Sequence, residues 1–357
     1  MSTKKMFVLL GTLLLAAALL SACAGQPGPE GPAGPAGPAG PAGPAGADGK
    51  SATAADLSCT ECHNDTHLIA SKQAAWELEK HGNGAAMAEE YGNKSCAFCH
   101  SGNSFSEGMA AGKNFSQLEA GAAEPARQDC RVCHQVHKTY TGADWALTST
   151  SPVAMVVSQA TFDGGEGNLC ANCHQARRYL ANFVAKDAAG TVIPEKYAAS
   201  VRFNTHLSDQ SDIMLGVLDV NTILGVEGKP GAHYSMVENT CVGCHLGEGK
   251  NHLFAPQVAT CVKCHADAKD LNINGYNFEE QFQGLRDALV AKGLLAANAD
   301  GTFAVVTKDA AGNPVILDAK PAAALFVYGA LEEDASMGAH NPNYVKALIA
   351  ASLEALK

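Results

Sequence analysis

Six copies of one pentapeptide, Cys-x-x-Cys-His, constrain what this 357-residue chain can fold into. They run Cys59–His63, Cys96–His100, Cys130–His134, Cys170–His174, Cys241–His245 and Cys261–His265. Twelve of the thirteen cysteines fall in these copies, and no Cys-x-x-Cys lacks its histidine. Only Cys23 is left over, so there is no material for a disulfide framework. The copies start 37, 34, 40, 71 and 20 residues apart, which excludes a strict structural repeat.

The pentapeptide has three chemical readings. Zinc ribbons pair two Cys-x-x-Cys units into a tetrahedral site, but they need no histidine after every second cysteine. A thioredoxin-like redox pair occurs once, between strand and helix, not six times. Covalent attachment of c-type haem uses every residue of the motif. The two thiols, about one helical turn apart, bond the two vinyl groups, and the adjacent histidine meets the iron. The sequence therefore predicts six haem c groups. Their covalent anchors are Cys59, Cys62, Cys96, Cys99, Cys130, Cys133, Cys170, Cys173, Cys241, Cys244, Cys261 and Cys264. Their proximal iron ligands are His63, His100, His134, His174, His245 and His265.

The second axial ligand separates electron transfer from catalysis, because an iron with both positions filled offers no site to a substrate. Seven histidines lie outside the motifs: His67, His81, His137, His206, His233, His252 and His340. Six irons need six distal ligands, so one histidine is spare. Spacing alone does not say which, since His67 and His137 follow their own proximal ligands His63 and His134 too closely to be separated. Methionine is the competing ligand, but Met87, Met109, Met155, Met214, Met236 and Met337 read better as packing residues.

The order of segments resembles a family of bacterial multihaem c-type cytochromes similar to the outer-surface ones. The resemblance rests on Cys-Arg-Val-Cys-His-Gln-Val-His at 130–137 and Asn-Leu-Cys-Ala-Asn-Cys-His-Gln-Ala-Arg at 168–177. Further matches are His-Leu-Ser-Asp-Gln-Ser-Asp at 206–212, the His233 segment, Asn-His-Leu-Phe at 251–254 and Gly-Ala-His-Asn-Pro at 338–342. It covers most of 55–357. It implies His81, His137, His206, His233, His252 and His340 as distal ligands, with His67, where the family more often has Thr, as the spare. The chain departs from the family at His206-Leu207, where His-Gly before a Pro-Gln pair is common.

The N-terminus reads as an export address. Lys4 and Lys5 precede an uncharged run from Met6 to Leu20, too short to span a bilayer and right for a signal h-region. It ends in Leu20-Ser21-Ala22-Cys23, which resembles the lipobox of bacterial lipoproteins and implies a signal peptide at 1–22 and a lipid on Cys23. Ala24 leans towards the outer membrane rather than the inner one. Residues 25–48 then run as eight Gly-x-y triplets, the collagen repeat. A semi-rigid polyproline II spacer of about 3.1 Å per residue is preferred over a triple helix, which stays open as a route to a trimer. The expected organisation is thus 1–22 leader, 23–50 lipid-anchored stalk and 51–357 hexahaem cytochrome domain.

Within that domain the fold class expected is mainly α with much irregular loop, organised around the six haems. Only 6% of residues are aromatic, so porphyrin is expected to replace much of an ordinary core. A helical pattern spans 66–91. The Cys-free tail, about 270–357, predicts a helix over 279–295, a small hairpin over 302–318 and helices over 321–332 and 342–356. Asn341-Pro342 makes a good helix start, and the tail reads as a cover that supplies His340.

A formal charge of −11 without a basic cluster excludes nucleic acid. The expected function is electron transfer at the cell surface, not enzymatic turnover. Partners would be other cytochromes or redox proteins and extracellular acceptors such as metal oxides. The alternatives are a reductase of nitrite, hydroxylamine or a sulfur oxyanion with one open haem, and a structural subunit of a cytochrome filament.

Overall fold

The computed structural model describes residues 63, 68–83, 92–206, 208–247, 249–269 and 277–357. The leader, Cys23, the Gly-x-y segment, Cys59, Cys62, His67 and Met87 lie outside the described residues. All that is described belongs to one unit, 52–357.

Short helices dominate the first two thirds. They begin with α1 (Leu68–Glu77), α2 (Lys80–Asn83), α3 (Ala97–His100), α4 (Gly102–Ala110) and α5 (Cys130–Cys133). A two-stranded ribbon of β1 (Val153–Ala154) and β2 (Thr161–Phe162) precedes α6 (Asn168–Ala171), β3 (Val184–Lys186) and β4 (Val192–Ala198). Then come α7 (Gln210–Leu215), α8 (Asn221–Leu224), α9 (Ala232–Met236), α10 (Cys241–His245) and α11 (Val258–Cys261). The chain closes with α12 (Phe278–Ala291), β5 (Leu295–Ala297), β6 (Phe303–Val305), β7 (Ile316–Asp318), α13 (Ala319–Asp334) and α14 (Pro342–Ala355).

The attachment motifs explain the short helices. The backbone N–H of the motif histidine donates to the carbonyl of the first cysteine at 3.1 Å in His100–Cys96 and 2.8 Å in His134–Cys130. The same bond is 2.9 Å in His174–Cys170 and 2.8 Å in His265–Cys261. One closed turn is all the motif needs, because it already puts both thiols and the imidazole on one side. Asp129 caps the third motif by accepting from Arg131 N.

Three sequence expectations need correction. The helical pattern over 66–91 is not one helix: it breaks at Leu78-Glu79 between α1 and α2, and Leu78 is exposed. The hairpin over 302–318 keeps its turn, with Asp309 N donating to Asn313 O and a bridge between Lys308 and Pro314. Its two arms nevertheless pair elsewhere. β6 runs antiparallel to β5, with Leu295 opposite Val305, and β7 runs antiparallel to β4, with Tyr197 opposite Leu317. Both arms are short, so cross-strand packing with other segments outweighs the local turn.

The third correction concerns the tail. Far from being only a cover, it builds the largest apolar core among the described residues. α13 is buried on every side from Ala322 to Leu331, as a central helix must be. α12 lays Leu285 and Leu289 against it, and α14 adds Tyr344, Val345, Leu348 and Ile349. The same cluster takes in Tyr179, Leu180, Phe203, Ile213 and Leu218 from the middle of the chain. Phe203 meets Phe326 edge-on at 5.9 Å. Two smaller clusters sit under the motifs, one around Phe98, Phe105, Val132 and Leu169, the other around Met155, Phe162, Ala171 and Met214. No described helix is long and apolar enough to cross a membrane.

Candidate functional site

The six motif histidines each face one histidine from outside the motifs. Ring centres lie 6.2 Å apart in His63–His137, 6.4 Å in His100–His206 and 6.1 Å in His134–His252. They lie 6.1 Å apart in His174–His81, 6.3 Å in His245–His340 and 6.1 Å in His265–His233. We number these pairs 1 to 6 by the order of their motifs. No histidine serves twice.

The narrow spread tests whether the residues fit haem iron. A metal–nitrogen bond of about 2 Å on each side, plus about 1 Å from nitrogen to ring centre, puts two axial imidazoles about 6 Å apart. All six pairs meet that requirement although their interplanar angles range from 32° to 79°. Among the described residues, no group of three or more His, Cys, Asp or Glu is disposed to hold a metal ion. Of the described methionines, Met155 and Met214 are core residues, Met109 packs against an apolar cluster, and Met236 and Met337 are exposed.

The partners are brought together by long-range packing. His81 sits on α2, ahead of the second motif, yet faces the histidine of the fourth. His340 immediately precedes α14 and is held there by Asn341. That side chain caps α14 at Tyr344 N and donates from Nδ2 to the carbonyls of Ile213, Met214 and Lys229 at 3.1, 3.2 and 2.8 Å. Gly231, just before the His233 helix α9, permits this approach, since a Cβ there would lie 2.9 Å from Asn341 Cγ. Pairs 5 and 6 are therefore fastened to each other. His233 Nδ1 bonds the carbonyl of Ala339, the neighbour of His340, at 2.5 Å.

Left-handed backbone gathers at the same places. His137 has φ 60° and His206 φ 77°, and Lys250 (φ 49°) and Phe254 (φ 51°) flank His252. Ala335 and Met337, both at φ 52°, lead to His340. Each costs a non-glycine residue on the order of 1–3 kcal/mol and persists only where the surroundings dictate it.

Hydrogen bonds orient the rings. Nδ1 of His134 meets Trp145 O at 2.7 Å, that of His245 meets Phe254 O at 2.8 Å, and that of His252 meets Lys250 O at 2.8 Å. His174 Nδ1 lies 3.1 Å from Gln210 Oε1. Two rings have carboxylates instead: His81 Nδ1 with Glu79 at 2.7 Å, and His340 Nδ1 with Asp334 at 2.6 Å. Engaging Nδ1 leaves Nε2 to face the partner ring, the arrangement common to metal-bound imidazoles. Sequence reasoning missed these supports. Glu79 and Asp334 lie near their histidines in sequence, but nothing in the spacing announced a contact.

Burial pushes the His174 imidazole down to about 4, helped by the charges of His81, His245 and His340. His206 is also pushed to about 4, by burial first and then by Arg177 and Arg178. Burial lowers His245 and His252 as well. His340 is the exception: burial lowers it, but the Asp334 charge and hydrogen bond together prevail and raise it. An unfolded histidine titrates near about 6.5. The stability contributed by His174 and His206 is thus full above about 6.5 and is lost as pH falls towards about 4.

The motifs also touch. Cys99 and Cys173 pack on one apolar cluster, joining motifs 2 and 4, and Cys241 packs with Ala171, its Sγ 3.9 Å from Gly167 O, joining motifs 4 and 5. Cys133 shares one apolar cluster with Cys99 and Cys173. His134 of pair 3 and His137 of pair 1 lie three residues apart on one segment. Motif 4 is the junction.

No family model matches the chain. The chain is 26% identical over 236 residues to the C-type polyheme cytochrome OmcC of Geobacter sulfurreducens, an alignment covering 54% of this chain and 30% of that protein. It therefore spans about a third of that relative's length. Among solved structures, the outer cell wall cytochrome OcwA superposes with a TM-score of 0.46 at 18% identity, covering 79% of this chain and 50% of that one. The undecaheme cytochrome from the S-layer of Carboxydothermus ferrireducens gives 0.39 at 18% identity, covering 84% and 40%.

Proposed function

We propose that this chain, a multihaem c-type cytochrome, is an electron carrier with six haem centres, each held between two histidines. The observation that carries the proposal is the set of six ring pairs at 6.1–6.4 Å, one for every attachment motif. Haem iron, when bound, supplies one-electron exchange between its ferric and ferrous states.

The chain's own residues do the rest. The twelve motif cysteines would anchor the groups, with the packing of Cys99, Cys173, Ala171 and Cys241 keeping three attachment sites together. His63, His100, His134, His174, His245 and His265 would hold the irons, and His137, His206, His252, His81, His340 and His233 would supply the second ligands, which would leave no position for a substrate. His67 is the spare. Buried neutral imidazoles and apolar clusters keep water from the inner centres, which favours fast exchange without bond making.

The leader, a lipid on Cys23 and the Gly-x-y spacer would export the domain and hold it off an outer membrane, facing redox partners or solid acceptors outside the cell. Reductase chemistry on nitrite, hydroxylamine or a sulfur oxyanion would require one iron with an open face. EPR of the oxidised, haem-loaded protein separates the two. Six low-spin haems are expected. A stoichiometric high-spin signal that responds to nitrite or hydroxylamine would overturn the carrier reading.

A further inference from the structure

Among the Nδ1 contacts that orient the rings, two differ from the others in what stands behind the ring. His134, His233, His245 and His252 each turn Nδ1 to a neutral backbone carbonyl, and His174 to a side-chain amide. His81 and His340 turn it to a carboxylate.

Both contacts are built. Asp334 closes α13 with only 3% of its surface exposed. One of its oxygens takes His340 Nδ1 and the other takes the hydroxyl of Ser336. That hydroxyl in turn accepts His340 N at 3.3 Å. The return from Asp334 to His340 requires left-handed backbone at Ala335 and Met337 and φ 80° at Gly338. Glu79 sits in the break between α1 and α2, where a single oxygen accepts His81 N at 2.8 Å and His81 Nδ1 at 2.7 Å. Its side chain is only 13% exposed. The break that interrupts the helical pattern is what turns Glu79 back onto His81.

The two carboxylate-backed rings belong to pairs 4 and 5, whose motifs pack together through Ala171 and Cys241, with Cys241 Sγ 3.9 Å from Gly167 O. A carboxylate accepting the Nδ1 proton draws it away from the ring and makes the opposite nitrogen more basic. A more basic, more anionic ligand favours the ferric state over the ferrous one and lowers the reduction potential. A carbonyl oxygen does the same far more weakly, since charge-assisted hydrogen bonds are roughly twice as strong as neutral ones.

We infer that Glu79 and Asp334 are positioning residues that hold the adjacent centres 4 and 5 at lower reduction potential than their carbonyl-backed neighbours. Electrons then reside on the outer centres and cross the middle of the chain by an uphill step. The inference rests on the reading of six two-histidine centres.

The test is a spectropotentiometric titration of the haem-loaded protein alongside EPR. Asn or Gln at these positions keeps an oxygen acceptor and removes the charge. In Asp334→Asn one of six components should shift to higher potential by at least tenfold in its reduction equilibrium, about 59 mV for one electron. All haems should stay low-spin, with changed g-values for one. Glu79→Gln should move one other component, and Asp334→Glu should restore the original value. Unchanged potentials in variants that keep six low-spin haems would overturn the inference. If Asp334→Asn fails to accumulate, Glu79→Gln decides alone by the same criterion. A wild-type spectrum without six low-spin haems would instead sink the underlying reading, so the two failures are distinguishable.

Discussion

A Cys170→Ser, Cys173→Ser double variant is expected to lose one haem of six and to split the remaining centres into groups that exchange electrons slowly. Motif 4 is the point where the second and fifth motifs meet. Cys173 and Cys99 pack on one apolar cluster and Cys241 on the one that holds Ala171, so both motifs lean on the fourth. Its neighbours Leu169 and Ala171 belong to two different apolar clusters, so the motif also joins them. Without thioether anchors, the polyhistidine cradle of His174 and His81 no longer keeps its cofactor. The vacated volume should lower unfolding free energy by at least about 3–5 kcal/mol, the range for emptying a large aromatic site. Intact mass and iron content count the haems, and stopped-flow reduction and reoxidation report exchange. A variant that distributes electrons as fast as the parent would show that motif 4 is no junction.

Replacing His340 by alanine is expected to convert about one sixth of the iron to a high-spin form open to added imidazole, while His67→Ala leaves every haem low-spin. The substitution at His340 is clean. Asn341 retains its bonds to Ile213, Met214 and Lys229, and Pro342 still opens α14, so the backbone path is kept and only the imidazole goes. Asp334 then keeps only Ser336, which adds a buried carboxylate without its partner and a cost of about 1–3 kcal/mol. EPR and visible spectra with and without imidazole read the outcome. A high-spin haem in His67→Ala would exchange the roles of His67 and one of the six. Six low-spin haems in His340→Ala would remove His340 from pair 5.

Much of this was legible because attachment chemistry is local. Cys-x-x-Cys-His needs one helical turn, and the observed turns at Cys96, Cys130, Cys170 and Cys261 follow from that alone. The tail helices were legible for a similar reason: Asn341-Pro342 starts α14, and the apolar spacing of Leu285 and Leu289 marks the inner face of α12. The strand partners of 303–305 and 316–318 were not, because a turn signal specifies the turn and not which strands its arms extend against. Nor was the size of the C-terminal core, which draws about a third of its side chains from 176–226.

By itself, then, the sequence determined six Cys-x-x-Cys-His copies and seven further histidines, the pattern from which the proposed anchors, proximal ligands and surplus of histidine are read. Helix geometry carries such information across about four residues and no further. Only the tertiary structure decided that His81 meets His174, that His340 meets His245 and that Glu79 and Asp334 stand behind them. Those contacts join segments whose spacing in the chain is unrelated to their spacing in the fold. They depend on left-handed turns and on Asn341 tying three carbonyls together, and such features exist only once the core of α12, α13 and α14 has packed.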